Sequence, residues 1–98
     1  MKKDLLAITS LLKEKKDILR NDFSVKEIGV FGSYATGENK TTSDIDIIVE
    51  LSQPVGMFTF LELEEYLSNL FDKKVDLTTK KSLKPLIKKD ILQNIVYV

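Results

Sequence analysis

The first twenty residues have apolar side chains at the spacing of an α-helix. The apolar positions that recur at intervals of three, four and seven residues are Leu5, Ile8, Leu12 and Leu19. Residues at these intervals share one face of a helix, and charged residues occupy most of the remaining positions. The pattern predicts an amphipathic helix over residues 3–20, ended by the turn-prone Asn21-Asp22 pair. A broad apolar face predicts a second long helix over Met57–Phe71.

Three shorter segments have the alternation of strands. The predicted strands are Val25–Phe31, Asp44–Leu51 and Lys74–Thr78. A single helical turn is expected after Gly32, at Tyr34–Gly37. A last helix is predicted from about Leu83 to Asn94, because Ser82 is a suitable N-cap and Pro85 falls in the first turn. The apolar tail from Ile95 to Val98 is not explained by that helix.

Alternation of strands and helices predicts an α+β (α/β) fold in which a small mixed β-sheet is flanked by helices. The chain has 98 residues, of which 43% are hydrophobic, so a single domain over residues 1–98 is expected to bury a core. The sequence has no internal repeat or interdomain linker.

Composition restricts the chemistry that the chain can perform. It has no cysteine and no histidine, which removes thiolate chemistry, the commonest general base and the commonest zinc ligands. Fifteen basic and fifteen acidic residues balance, so no overall field favours direct nucleic-acid or membrane binding. A charged N-terminus without a signal-peptide pattern favours a cytoplasmic protein. Catalysis would have to use carboxylates, hydroxyls, lysines, backbone amides and a hard metal ion.

Two aspartates stand in an apolar run that otherwise predicts a buried strand. Asp44 and Asp46 lie on the same side of a strand, with their Cα atoms about 6.5–7 Å apart. Aspartate is depleted in strands, and a buried carboxylate must be paired or must bind a metal. All-oxygen ligands favour magnesium or manganese. The pair therefore predicts a divalent-metal site.

Two further features extend this candidate site. Gly32 and Ser33 lie where a strand meets a helical turn, and a glycine there lets the backbone approach an anionic ligand such as a phosphate. Asp76, in the third strand, would complete the carboxylate set if that strand neighbours the second. It would then be placed to ligate a metal and to accept a proton from a hydroxyl.

The motif in this region resembles a known family. Gly32-Ser33, ten intervening residues, Asp44-Ile45-Asp46 and the later Asp76 are similar to the signature of the DNA polymerase β-like nucleotidyltransferases. The stretch GSYATGENKTTSDIDIIVEL and the short length resemble in particular the minimal nucleotidyltransferases (MNT proteins).

The resemblance implies two Mg²⁺ ions and transfer of a nucleoside monophosphate from a triphosphate such as ATP to a hydroxyl. It implies that Gly32 and Ser33 bind the triphosphate, that Asp44 and Asp46 hold the metals, and that Asp76 is the third metal-binding carboxylate and activates the nucleophile. Many relatives have arginine in the Gly-Ser helix, where this chain has Tyr34 and Thr36. Magnesium and Lys40 are then the candidates to neutralise the phosphates.

The same resemblance suggests a partner. Many MNT proteins pair with a HEPN protein, an RNase toxin in several systems, and some antitoxins of this type transfer AMP to a HEPN tyrosine. This chain has no acceptor-binding domain, so the acceptor surface is expected to come from another protein or from self-association into a homo-oligomer. Two alternatives stay open: an antitoxin that neutralises its partner by binding alone, and a small-molecule nucleotidyltransferase that needs a partner subunit.

Each feature also has a simpler interpretation. Gly32-Ser33 alone fits an ordinary turn, and Asp44, Asp46 and Asp76 could each be solvent-facing acids at strand ends. The lysines at positions 80, 81, 84, 88 and 89 most simply form a solvated face, with an acidic-partner or phosphate-binding patch as the alternative. The order and spacing of the features together favour the nucleotidyltransferase interpretation.

Overall fold

A computed structural model describes residues 2–83 and 93–98 of the protein. The predicted first helix is divided in two, α1 (Lys2–Glu14) and α2 (Lys16–Phe23). The break at Lys15 lies in a run of five charged residues, 13–17, which offers no apolar side chain to pack on the core. Helix α2 also continues past the predicted end, because Phe23 packs against the core and against the ring of Tyr66.

The remaining elements form a mixed sheet of four strands whose spatial order is β3-β2-β1-β4. Strands β2 and β3 are parallel, and β1 is antiparallel to both of its neighbours. In chain order the elements are β1 (Val25–Phe31), α3 (Ser33–Thr36), β2 (Ile45–Leu51), α4 (Met57–Phe71), β3 (Val75–Thr79), a 3₁₀ turn (Lys80–Ser82) and β4 (Val96–Tyr97). The predicted mixed sheet with flanking helices is confirmed.

The limits of β1 and α4 agree with the prediction, whereas β2 and β3 each begin one residue later than expected. The apolar tail is explained by β4, in which Val96 pairs with Val30 and Tyr97 pairs with Gly29. Most of the helix predicted over 83–94 lies outside the described residues.

The two faces of the sheet have different roles. One face packs against the helices, through buried residues of the strands such as Ile47 and Val49 and of the helices such as Leu12 and Leu67. Side chains alternate along a strand, so Asp46 and Glu50 of β2 and Asp76 of β3 project from the opposite face, which we call the carboxylate face. No helix in the described part of the chain has the length and apolar character needed to cross a membrane.

Candidate active site

The register of the two parallel strands brings two of the three candidate aspartates together. Asp46 of β2 is the direct partner of Asp76 of β3, and neighbouring strands lie about 4.8 Å apart. The condition set by the sequence, that the third strand must neighbour the second, is therefore met. Asp46 is partly buried, whereas Asp76 is exposed on the outermost strand of the described sheet. A large acceptor can therefore approach Asp76 from solvent.

Gly32 lies against the carboxylate of Asp46. Its backbone has φ +71°, a conformation that side chains disfavour. A Cβ atom at this position would lie 2.2 Å from Asp46 Oδ2, well inside van der Waals contact. Only glycine fits here, so the turn between β1 and α3 is held directly beside the carboxylate. Ser33 begins α3, and the first backbone hydrogen bond of that helix runs from the Ala35 N–H to the Gly32 carbonyl.

Asp44 immediately precedes β2 and has a basic neighbour. The Nζ atom of Lys74 lies 3.7 Å from Asp44 Oδ2, and the backbone N–H of Ile45 donates to the Lys74 carbonyl at 3.0 Å. A backbone hydrogen bond and an ion pair thus connect the start of β2 to Lys74, the residue before β3. This links Asp44 to the same end of the sheet as Asp46 and Asp76.

The loop that leads to Asp44 is tied to the helices. The Asn39 side-chain amide donates to Asp4 at 2.9 Å, and Lys73 Nζ donates to the Thr41 carbonyl at 2.7 Å. Buried Tyr34 of α3 reaches the same loop, with its hydroxyl 3.5 Å from the Ser43 carbonyl. These contacts fix the loop between the Gly-Ser turn and Asp44.

The electrostatics of the site centre on Asp46. Burial, and then the negative charges of Asp76 and Asp44, raise the pKa of Asp46 above its ordinary value. The carboxylates of Asp76 and Asp44 therefore repel the partly buried carboxylate of Asp46. A cation at this position would relieve both the repulsion and the cost of burial.

This raised pKa predicts that Asp46→Asn stabilises the metal-free fold at neutral pH. Between the ordinary value of 3.8 and the raised value, the folded state binds more protons than the unfolded state. The free energy of unfolding of the wild type therefore falls as pH rises through that window. Thermal unfolding without Mg²⁺ should give a higher Tm for Asp46→Asn at pH 7, and the gain should disappear below pH 3.8. Asp17→Asn, on the exposed side of α2, is the control; a lower Tm for Asp46→Asn at pH 7 would contradict this account.

The residues of the site suit a hard divalent cation. Their donors are all carboxylate oxygens, the kind that Mg²⁺ prefers, and the missing side chain of Gly32 keeps the space beside Asp46 Oδ2 clear. Within residues 2–83 and 93–98, however, no group of three or more acidic side chains is already gathered closely enough to hold a metal ion. Exposed Asp76 and Lys74-paired Asp44 would need to turn toward Asp46 when a metal binds.

Two lysines lie near this site. Sequence reasoning did not single out Lys74, and it placed Lys80 only in a basic stretch that most simply forms a solvated face. Lys74 adjoins Asp44, and it could have been noticed because it lies two residues before Asp76. The Nζ atom of Lys80 donates a hydrogen bond to Glu27 Oε2 at 2.9 Å. It also lies 3.6 Å from Glu50 Oε2 and 4.7 Å from the centre of the Tyr97 ring. The hydrogen bond from Lys80 to Glu27, then its contact with Tyr97, raise the pKa of Lys80. Lys80 thus connects β4 to the rest of the sheet.

A Gly-Ser turn closed against a strand aspartate, with a second aspartate in register on the next strand, is the arrangement expected from the resemblance to the nucleotidyltransferases. Comparison with known protein families agrees, because the nucleotidyltransferase domain model matches residues 12–98. The chain belongs to this family.

Individual relatives narrow the comparison. The chain is 50% identical over 91 residues to the protein adenylyltransferase MntA of Thermococcus cleftensis, covering 93% of this chain and 92% of that protein. A crystal structure of a toxin–antitoxin with AMP-PNP is 26% identical with a TM-score of 0.72, covering 87% of this chain and 69% of that one. The fold also matches an MNT antitoxin in complex with a tri-AMPylated HEPN toxin of Shewanella oneidensis, at 22% identity and a TM-score of 0.67, covering 92% and 70% of the two chains.

Proposed function

We propose that the chain is a magnesium-dependent protein adenylyltransferase that transfers AMP from ATP to a tyrosine of a HEPN partner, as the antitoxin of a toxin–antitoxin pair. The pairing of Asp46 with Asp76, beside the glycine turn, is the observation that supports it most strongly. The half-identical relative MntA is named a protein adenylyltransferase, and a structure of similar fold contains an MNT antitoxin in complex with a tri-AMPylated HEPN toxin. The proposal includes a cytoplasmic location, where ATP would be available to the protein.

In the proposed reaction the acceptor oxygen bonds to the α-phosphorus of ATP while the bond to the β-phosphate oxygen breaks, and pyrophosphate leaves. Asp76 receives the hydroxyl proton, since it is exposed and lies opposite Asp46. Gly32 and Ser33 bind the triphosphate through the backbone of their turn. Asp44 and Asp46, with Asp76, would hold two Mg²⁺ ions, which supply charge stabilisation for the phosphates.

Label position tests the proposal. The purified chain and its HEPN partner are incubated with Mg²⁺ and ATP labelled at either the α- or the γ-phosphate, with Asp44→Asn as the matched variant. Wild type should label the partner from α-labelled ATP only, and Asp44→Asn should not label it. Label from the γ position would indicate phosphoryl transfer. If the wild type and Asp44→Asn each form a stable complex with the partner and neither labelled ATP labels it, the chain is an antitoxin that acts by binding alone. Either this result or label from the γ position would contradict the proposal.

A further inference from the structure

Among residues 2–83 and 93–98, the Gly-Ser turn and helix α3 offer no cation for the triphosphate. A nucleoside triphosphate adds several negative charges to a site that already has Asp44, Asp46 and Asp76. Helix α3 has the sequence Ser-Tyr-Ala-Thr and contains no basic residue. Its tyrosine is buried in the core, so α3 offers only backbone amides and hydroxyls to the phosphates. Binding of the triphosphate would be stronger with a cationic side chain from another element.

Lys74 has the required position. It lies immediately before β3, two residues from Asp76, and its Nζ atom is 3.7 Å from Asp44 Oδ2. The ammonium group is therefore at the end of the sheet that carries the three aspartates. Of the ion pairs in the described part of the chain, this one alone includes a candidate metal ligand.

The present contact of Lys74 leaves its hydrogen-bonding capacity available. A separation of 3.7 Å is longer than a hydrogen bond, so the pair is held by charge alone. The Lys74 side chain is 77% exposed, and exposed pairs of this kind contribute little to stability. A long, flexible lysine can therefore leave Asp44 for a phosphate oxygen at small cost.

Other lysines of the described chain near this region have different surroundings. Lys73 donates to the Thr41 carbonyl at 2.7 Å, and Lys80 is held between Glu27 and Glu50. Lys40, the candidate suggested by the sequence, lines a cavity beside Ile8 and Phe71 on the helix-covered side of the sheet. That position is on the opposite side from the carboxylate face.

We infer that Lys74 is a triphosphate-binding residue of this site. It balances Asp44 when no nucleotide is bound, and it pairs with a phosphate oxygen when ATP and the metal occupy the site. In this role it replaces the basic side chain that α3 lacks. This inference rests on the proposed function, because it takes ATP as the ligand.

Equilibrium binding of AMP-PNP in the presence of Mg²⁺ tests this role without any transfer reaction. Lys74→Ala should raise the Kd by about 10- to 100-fold, the range expected for one charge-assisted hydrogen bond. Lys74→Arg should keep most of the affinity, since it retains the charge. Lys13→Ala, at an exposed lysine of α1, is the matched control and should bind like wild type, and Lys40→Ala tests the competing candidate. Thermal unfolding of each variant checks that the fold is intact, as expected for an exposed side chain.

A double-mutant comparison separates direct contact from an effect through Asp44. If Lys74 binds phosphate, Lys74→Ala should still weaken AMP-PNP binding in the Asp44→Asn background, although by a different factor than in wild type because the two side chains form an ion pair. Equal affinities of Asp44→Asn and the double variant would show that Lys74 only positions Asp44, which would overturn the inference. So would wild-type affinity of Lys74→Ala, or a loss seen for Lys40→Ala instead. Failure of the wild type to bind AMP-PNP would overturn both this inference and the proposed function.

Discussion

Replacing Asp46 by asparagine is expected to slow AMP transfer by at least about 1000-fold. The substitution keeps the shape of the side chain and removes the charge that the metal and the developing transition state need. Asp46 is the central residue of the site, since it lies opposite Asp76 and against Gly32. The same change is expected to stabilise the metal-free fold at neutral pH, and thermal unfolding of the variant checks that the loss is not caused by unfolding. The loss of AMP transfer is measured from initial rates of label transfer from α-labelled ATP.

Glu50→Gln provides the matched control for this change. Glu50 lies on the same face of β2, four residues farther along, and faces Lys80 rather than the candidate metal ligands. It should retain transfer within a few-fold of wild type, and both variants should still bind the HEPN partner. A rate for Asp46→Asn within about tenfold of wild type, a barrier difference near 1.4 kcal/mol, would contradict the proposed role.

Gly32→Ala is expected to lower AMP transfer by about 100-fold and to cost about 1–3 kcal/mol of folding free energy. Two effects combine at this position. The backbone has φ +71°, and the added methyl group would lie 2.2 Å from Asp46 Oδ2. The carboxylate or the turn must therefore shift, which displaces the residues proposed to bind metal and triphosphate. Initial transfer rates and urea unfolding measure the two losses.

Gly37→Ala separates backbone strain from displacement of the carboxylate. Gly37 has φ +83°, but nothing lies within 4 Å of a Cβ atom built there. This variant should lose less stability than Gly32→Ala, because its αL backbone is less strained and the added methyl group meets nothing, and it should keep most of the transfer rate. Equal losses of transfer in the two variants would show that strain in the turn, rather than contact with Asp46, limits activity.

Local sequence patterns were sufficient to predict much of the fold. Val25–Phe31 and Met57–Phe71 have the limits expected from their alternating and helical apolar positions, because those patterns depend on nearby residues alone. The break at Lys15 lies in a charged run, residues 13–17, that apolar periodicity alone did not mark as a helix end. The continuation of α2 to Phe23 was not predicted, because it depends on packing against the core and the ring of Tyr66. The short strand β4 was missed for the same reason: its pairing with β1 joins segments that are far apart in the sequence.

The candidate site was predictable in part. The spacing of Asp44 and Asp46 follows from strand geometry, whereas the pairing of Asp46 with Asp76 depends on a strand order that the sequence left open. The contact between Gly32 and Asp46 and the approach of Lys74 to Asp44 depend on side-chain positions in the folded chain. The roles of all these residues remain predictions that the variants above can test.

The intact mass of the HEPN partner, measured after incubation with ATP and Mg²⁺, tests the central claim most directly. The two preparations to compare are the wild-type chain and the Asp44→Asn, Asp46→Asn double variant. The account predicts that the partner gains the mass of one or more AMP groups with the wild type and none with the double variant, and that the adduct lies on tyrosine. No gain with the wild type would contradict the proposed activity. An equal gain with both proteins would contradict the assignment of the site to these aspartates.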